Sequence, residues 1–70
     1  MDAVQLLGRN VRLLRDKRGV SQEKLALEAG MKRSYLSDLE RGTRSPSVRA
    51  LERLASALHV PPDHLLRPIE

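Results

Sequence analysis

The stretch "EAGMKRSYLSDLERG", residues 28–42, decides how this chain folds. Gly30 separates two segments of helical apolar spacing, and Lys32 and Arg33 stand where the second segment begins. The N-terminal end of a helix already carries about half a positive charge from its aligned peptide dipoles, so carboxylates are favoured there and cations are mildly unfavourable. Lys32 and Arg33 break that rule. A local rule broken without visible compensation marks a place where function competes with stability.

Working outward, the punctuation predicts a single all-α domain over residues 1–70. Val4, Leu7, Val11 and Leu14 recur at helical spacing and Gly19 follows a basic end, which gives a first helix over about 3–17. Ser21 can cap a second helix over about 22–29, with Glu23 in its favourable first turn. Gly30 can take positive φ at its end, and the chain turns through Met31 into a third helix over about 33–40. "RGTRSPS" is turn chemistry, with Gly42 as a stop and Ser47 as the cap of a fourth helix over about 48–58. Val60 before Pro61 is expected to be extended, and Pro62 with Asp63 opens a short fifth helix ending near Leu66.

Around Gly30 the small and apolar residues have specific tasks. Ala26 lets one helix cross close to the other, Gly30 makes the left-handed turn, and Leu25, Ala29, Met31, Leu36 and Leu39 close the angle with apolar contacts. Two helices so joined, over about 22–40, form a helix-turn-helix whose second helix can lie in a DNA major groove. At about 100° per residue, Tyr35, Leu36 and Leu39 share one side of the third helix, whereas Arg33, Ser34, Ser37, Asp38 and Arg41 share the other. Arg offers a fork for guanine O6 and N7, and Ser can meet donors or acceptors on base edges.

These residues, within "LGRNVRLLRDKRGVSQEKLALEAGMKRSYLSDLERGTRSPSVRALERLASALHVPPDHLL", resemble the phage-repressor-type helix-turn-helix family, also called XRE or lambda-repressor-like. The likeness covers about residues 7–66. It implies a compact five-helix DNA-binding domain acting as a homodimer on palindromic double-stranded operators. By this resemblance Gln22 falls at a phosphate-contacting position, Arg33, Ser34 and Asp38 fall at base-reading positions, and Arg15 and Glu40 match an ion pair tying the first helix to the third. Ser37 joins the base-reading set from its place on the same face, and Lys32, Tyr35, Arg41, Thr43 and Arg44 are expected at phosphates with Gln22. Two departures stand out: Lys32 occupies a cap position where many members carry Ser, Thr or Asp, and Asp38 is an unusual group to aim at DNA. The small size and "KRSYLSDLERGTRS" also resemble restriction-modification controller proteins, and antitoxin regulators are a further possibility.

Composition narrows the partners. Thirteen Lys and Arg against nine Asp and Glu leave +4, which suits a polyanion such as nucleic acid or a membrane surface, although many small proteins are mildly basic. Without cysteine there is no disulfide, thiolate nucleophile or thiolate metal site, which fits a reducing compartment and a cytoplasmic location. The longest apolar run, Leu25 to Leu27, is far too short for a membrane span. Tyr35 is the lone aromatic residue, so no platform exists for stacking successive single-stranded bases. His59, Asp63 and His64 cluster in "HVPPDH", but a surface role is simpler than a metal or proton-transfer site. No serine stands at a recognisable nucleophile spacing and no Gly-rich phosphate loop is present, so the expectation is a protein with no catalytic residues, metal, cofactor or small-molecule effector.

A single recognition helix reads only a few base pairs, so a two-fold dimer is expected. The final helix is too short to bury Leu65, Leu66 and Ile69 on one small core. These are expected at the dimer interface, flanked by Leu58 and Val60, unless they cap the open end of the core beside Leu6 and Leu13. The rival from another class is a protein-interaction module that keeps the fold without binding DNA; such a module need not keep Gln22, Arg33, Arg41 and Arg44 on one side.

Overall fold

Three of the four α-helices begin on a side-chain cap and two end on a left-handed glycine in the computed structural model, which describes residues 1–69. Helix α1 spans Ala3–Arg18 and starts on a reciprocal cap, in which Asp2 accepts from the Gln5 N–H at 2.8 Å and Gln5 Oε1 accepts from the Asp2 N–H. This Asp-x-x-Gln signature satisfies two orphan donors at once. Gly19 ends α1 at φ 70°. Helix α2, Gln22–Ala29, begins on Ser21, whose hydroxyl accepts from the Lys24 N–H at 3.0 Å, and Gly30 closes it at φ 67°. Helix α3 is Arg33–Glu40, and α4 is Val48–Ala57, capped by Ser47 on the Ala50 N–H.

The five-helix expectation needs correction. Among the described residues there are four α-helices, and Pro62–Leu66 is a 3-10 turn. Its five residues begin with Pro62 and follow Pro61, neither of which has an N–H to donate, and so short a segment cannot recover the cost of nucleating an α-helix. It closes instead on i→i+3 geometry, with the His64 N–H on the Pro61 carbonyl at 3.0 Å. Helix α4 also stops without glycine. His59 takes φ 61° and lets the Val60 N–H return to the Ala55 carbonyl, a left-handed position that costs a non-glycine residue about 1–2 kcal/mol.

The core lies between all of these elements. Leu7 and Val11 of α1, Leu25 of α2, Leu36 and Leu39 of α3, Leu54 of α4 and Leu65 of the terminal turn are each 2% exposed or less. Helix α1 packs on α3 and the terminal turn, α2 packs on α3 and α4, and α4 packs on the terminal turn. Two features fix where α1 crosses α3. A Cβ at Gly8 would sit 2.2 Å from the Leu39 carbonyl oxygen and 3.0 Å from that of Glu40, so only glycine allows this approach. One turn after Val11, Arg15 donates from Nε and Nη2 to the two Glu40 oxygens at 2.8 and 3.0 Å, and from Nη1 to the Val20 carbonyl at 3.0 Å. Gln22 Nε2 adds a third donor to Glu40 at 2.9 Å. The hydrogen bonds to Glu40 raise the Arg15 guanidinium above its ordinary pKa, against the lowering effect of burial. A raised folded-state value means that the pair's contribution is present below the ordinary guanidinium range and lost only at strongly alkaline pH.

Leu65 faces inward at 0% exposure, so it is a core residue and does not belong to an exposed interface surplus. Its position is held from α1, where the buried Asn10 amide donates to the Leu65 carbonyl at 2.9 Å and to the Arg67 carbonyl at 2.8 Å.

Gly8→Ala should lower stability by about 1–3 kcal/mol, because the added methyl meets backbone carbonyls that cannot rotate away; thermal unfolding followed by circular dichroism measures this. Arg15→Ala should cost about 3–5 kcal/mol by leaving the Glu40 carboxylate without its cation in a buried site. A domain of this length has only roughly 4–10 kcal/mol in total, so the variant should be largely unfolded near 37 °C. Unchanged melting would show that the clamp does not support the fold.

Candidate nucleic-acid interface

The outward side of α3 divides into two chemically different halves. At its N-terminal end Lys32 takes the cap position in extended conformation and makes no side-chain cap bond, as its donor-only ammonium dictates. The side chains of Lys32, Arg33 and Ser34 are exposed and make no ion pair or hydrogen bond among the described residues. Free N–H groups of a first helical turn, the positive end of the helix dipole and two unpaired cations thus converge, an arrangement suited to an anion such as a phosphate.

The C-terminal half is internally bonded. Arg41 donates to Ser37 Oγ at 3.2 Å and pairs with the Asp38 carboxylate. Arg44 Nε lies 3.9 Å from the same carboxylate, and the Arg44 guanidinium sits 5.1 Å from the centroid of the Tyr35 ring. Thr43 donates from both its N–H and its hydroxyl to the Asp38 backbone carbonyl, at 3.1 and 3.2 Å. The Tyr35 hydroxyl accepts from the Ser47 N–H at 3.4 Å, tying the loop before α4 to α3. Six of the sequence-predicted residues, Tyr35, Ser37, Asp38, Arg41, Thr43 and Arg44, therefore form one cluster.

Gln22 stands apart from both halves. It is half-buried and spends one amide N–H on Glu40, which leaves a second N–H for an outside partner. Arg15 and Glu40 lie behind it, with side chains 13% and 4% exposed, so they orient α3 and do not present a surface.

The residues expected at a dimer interface separate. Leu65 is buried, Ile69 is half-buried, and Leu66 is 46% exposed. Leu66 borders an apolar groove of about 170 Å³ with Val4, Leu7, Pro46, Val48 and Leu51. Sequence reasoning missed Val48, which is 77% exposed. The signal was present in the spacing: Val48, Leu51 and Ala55 form one i, i+3, i+7 stripe, and Val48 lies a turn beyond the end of the core. In the "HVPPDH" segment, Arg67 intervenes between the acid and the imidazole, 3.9 Å from Asp63 and 3.2 Å from His64 Nδ1.

This geometry has close counterparts. Control protein C.BamHI from Bacillus amyloliquefaciens is 48% identical over 62 residues, covering 87% of this chain and 76% of that protein. The solved structure of the restriction-modification controller protein C.AhdI from Aeromonas hydrophila matches with a TM-score of 0.86 at 40% identity, over 89% of this chain and 94% of that one. SinR of Bacillus subtilis, solved in complex with DNA, matches with a TM-score of 0.83 at 35% identity, over 87% and 98% of the two chains. A helix-turn-helix family model matches residues 11–65. With the turn at Gly30, the buried Ala26 and the Arg15–Glu40 pair in place, the chain belongs to the XRE-like helix-turn-helix family.

Proposed function

We propose that this helix-turn-helix transcriptional regulator acts as a homodimeric repressor or autoregulator on a palindromic double-stranded DNA operator, in the cytoplasm and without catalysis. The observation that carries the reading is the exposed, unpaired cationic first turn of α3, Lys32 and Arg33, on the second helix of a helix-turn-helix. The likeness to SinR, solved with DNA, supports the partner. The likeness to C.BamHI and C.AhdI supports a restriction-modification controller within that class. In this reading Arg33, Ser34, Ser37 and Asp38 meet base edges, while Gln22, Lys32, Tyr35, Arg41, Thr43 and Arg44 meet phosphates. Among the described residues no helix is long and apolar enough to cross a membrane.

The dimer is assigned to the groove face, with Leu66, Ile69 and Val48 meeting the same residues of a second copy. The face is self-complementary in kind, since Leu66 and Val48 are both exposed apolar knobs and lining of the groove. A chain of net charge +4 needs an apolar patch of this sort to offset its own repulsion.

Selection of bound duplexes from a random pool should return two inverted half-sites with centres about 34 Å apart. Against that operator, Arg33→Ala should cost about 1–3 kcal/mol and relax the preference at one base pair per half-site, whereas Arg44→Ala should weaken all sequences nearly alike. Identical patterns for the two variants would refute the division into base and phosphate roles. No duplex binding at low salt would favour a protein-interaction module instead. Val48→Glu with Leu66→Glu, both at exposed sites, should convert a sedimenting dimer to a folded monomer; a wild type that is monomeric at tens of micromolar would remove the dimer.

A further inference from the structure

Of the two acids on α3, Glu40 is turned inward and consumed by Arg15 and Gln22, which leaves Asp38 as the one carboxylate of the helix facing outward. Its side chain is 34% exposed and lies against Arg41 and, at 3.9 Å, Arg44. Both arginines are groups that a phosphate would otherwise recruit. A negative charge placed here opposes every DNA sequence equally through repulsion, and it occupies donors that DNA needs. Such a residue is useful only where the correct sequence offsets it.

We propose that Asp38 determines specificity by penalty: in the free protein it is the counter-ion of Arg41 and Arg44, and DNA is held tightly only where a base edge supplies an N–H donor in their place. The proposal rests on the DNA-binding reading above. When Arg41 and Arg44 turn to phosphates, Asp38 loses its donors, and an ionised carboxylate can only accept. The major-groove edge offers donors at cytosine N4 and adenine N6, and acceptors at guanine O6 and N7 and thymine O4. Opposite the first pair the carboxylate is satisfied; opposite the second it is desolvated against acceptors, which is expensive. Discrimination then comes from rejecting the wrong sequence as much as from gripping the right one. The exchange is feasible because the pairs are partly exposed and correspondingly weak.

The test is Asp38→Asn, which keeps the size of the side chain and leaves untouched the Asp38 backbone carbonyl that accepts from Thr43. Melting should therefore be unchanged. Binding to the selected operator and to a random-sequence duplex is then measured by fluorescence anisotropy between 50 and 200 mM salt. Affinity for the random duplex should rise about tenfold at the lower salt and about threefold at the higher, because one more phosphate contact goes uncompensated, at about 0.9 in the log-log slope. Affinity for the operator should change less, so that the ratio between the two falls. Adding Arg41→Ala should abolish most of the gain. Unchanged or weaker random binding overturns the proposal, as does an altered preference at one base pair with no gain on random duplex, which is the behaviour of a simple base contact. A wild type that binds no duplex removes the functional reading itself, and the proposal with it.

Discussion

Glu40 is the point on which the structure turns. It is the last residue of α3, its side chain is almost wholly buried, and it receives donors from both α1 and α2. A carboxylate can be taken out of water only if its lone pairs are met with good geometry, because an uncompensated buried charge costs several kcal/mol. The fork of Arg15 meets both oxygens and Gln22 meets one of them again, so α3 has little freedom to swing without breaking three bonds together. Gly8 lies seven residues before Arg15 on the same face of α1 and lets that helix ride directly over the Leu39 and Glu40 carbonyls. The close approach and the ion pair are mutually dependent. A side chain at position 8 would lift α1 and lengthen the reach of Arg15, which would loosen the angle at which Arg33 and Ser34 are presented.

The two carboxylates of α3 have opposite energetics, and that difference sorts their roles. The Arg15–Glu40 pair is desolvated and bidentate, so breaking it leaves a buried charge at about 3–5 kcal/mol. The pairs of Asp38 with Arg41 and Arg44 are partly exposed, and such pairs are worth about 0–1 kcal/mol. The first is permanent on the scale of the domain's stability, and the second can be exchanged for another partner. The outward face therefore combines a fixed backbone direction with side chains that remain available. Its N-terminal half needs no exchange, because Lys32 and Arg33 have no partner among the described residues.

Much of this was legible in the chain because the decisive signals are local. Gly19, Gly30, Ser21 and Ser47 mark helix ends by their own φ preference or hydroxyl, and the structure places α2 and α3 at the bounds their spacing predicts. Leu25, Ala26, Ala29, Leu36 and Leu39, expected from their offsets about Gly30 to close the angle between the two helices, all lie in the core. What could not be read depends on partners distant in sequence. Gly8 looks like an ordinary weak point in a helix until Leu39 lies above it. His59 carries no glycine signal for a left-handed stop, and the backbone of Leu65 is held by Asn10, 55 residues away in the chain. Lys32, by contrast, is conspicuous in the sequence, since its donor-only side chain cannot accept from the free N–H groups of a helix N-terminus.

Asn10 shows why the terminal turn belongs to the core and to the surface at once. A buried amide side chain is a poor choice for a small core, and its Oδ1 has no partner among the described residues, at a cost of about 1–3 kcal/mol. Yet the Leu65 and Arg67 carbonyls on an irregular segment both need donors, and a single Nδ2 group provides two. Leucine at this position would fill the volume but leave both carbonyls unmet, and aspartate would offer only acceptors to acceptors. The amide is therefore the group that lets a segment too short to form an α-helix close the hydrophobic core with Leu65. Fixing Leu65 inward by its own carbonyl also fixes the neighbouring side chain outward, so Leu66 stands exposed beside Val48 as a direct consequence of how the core is sealed.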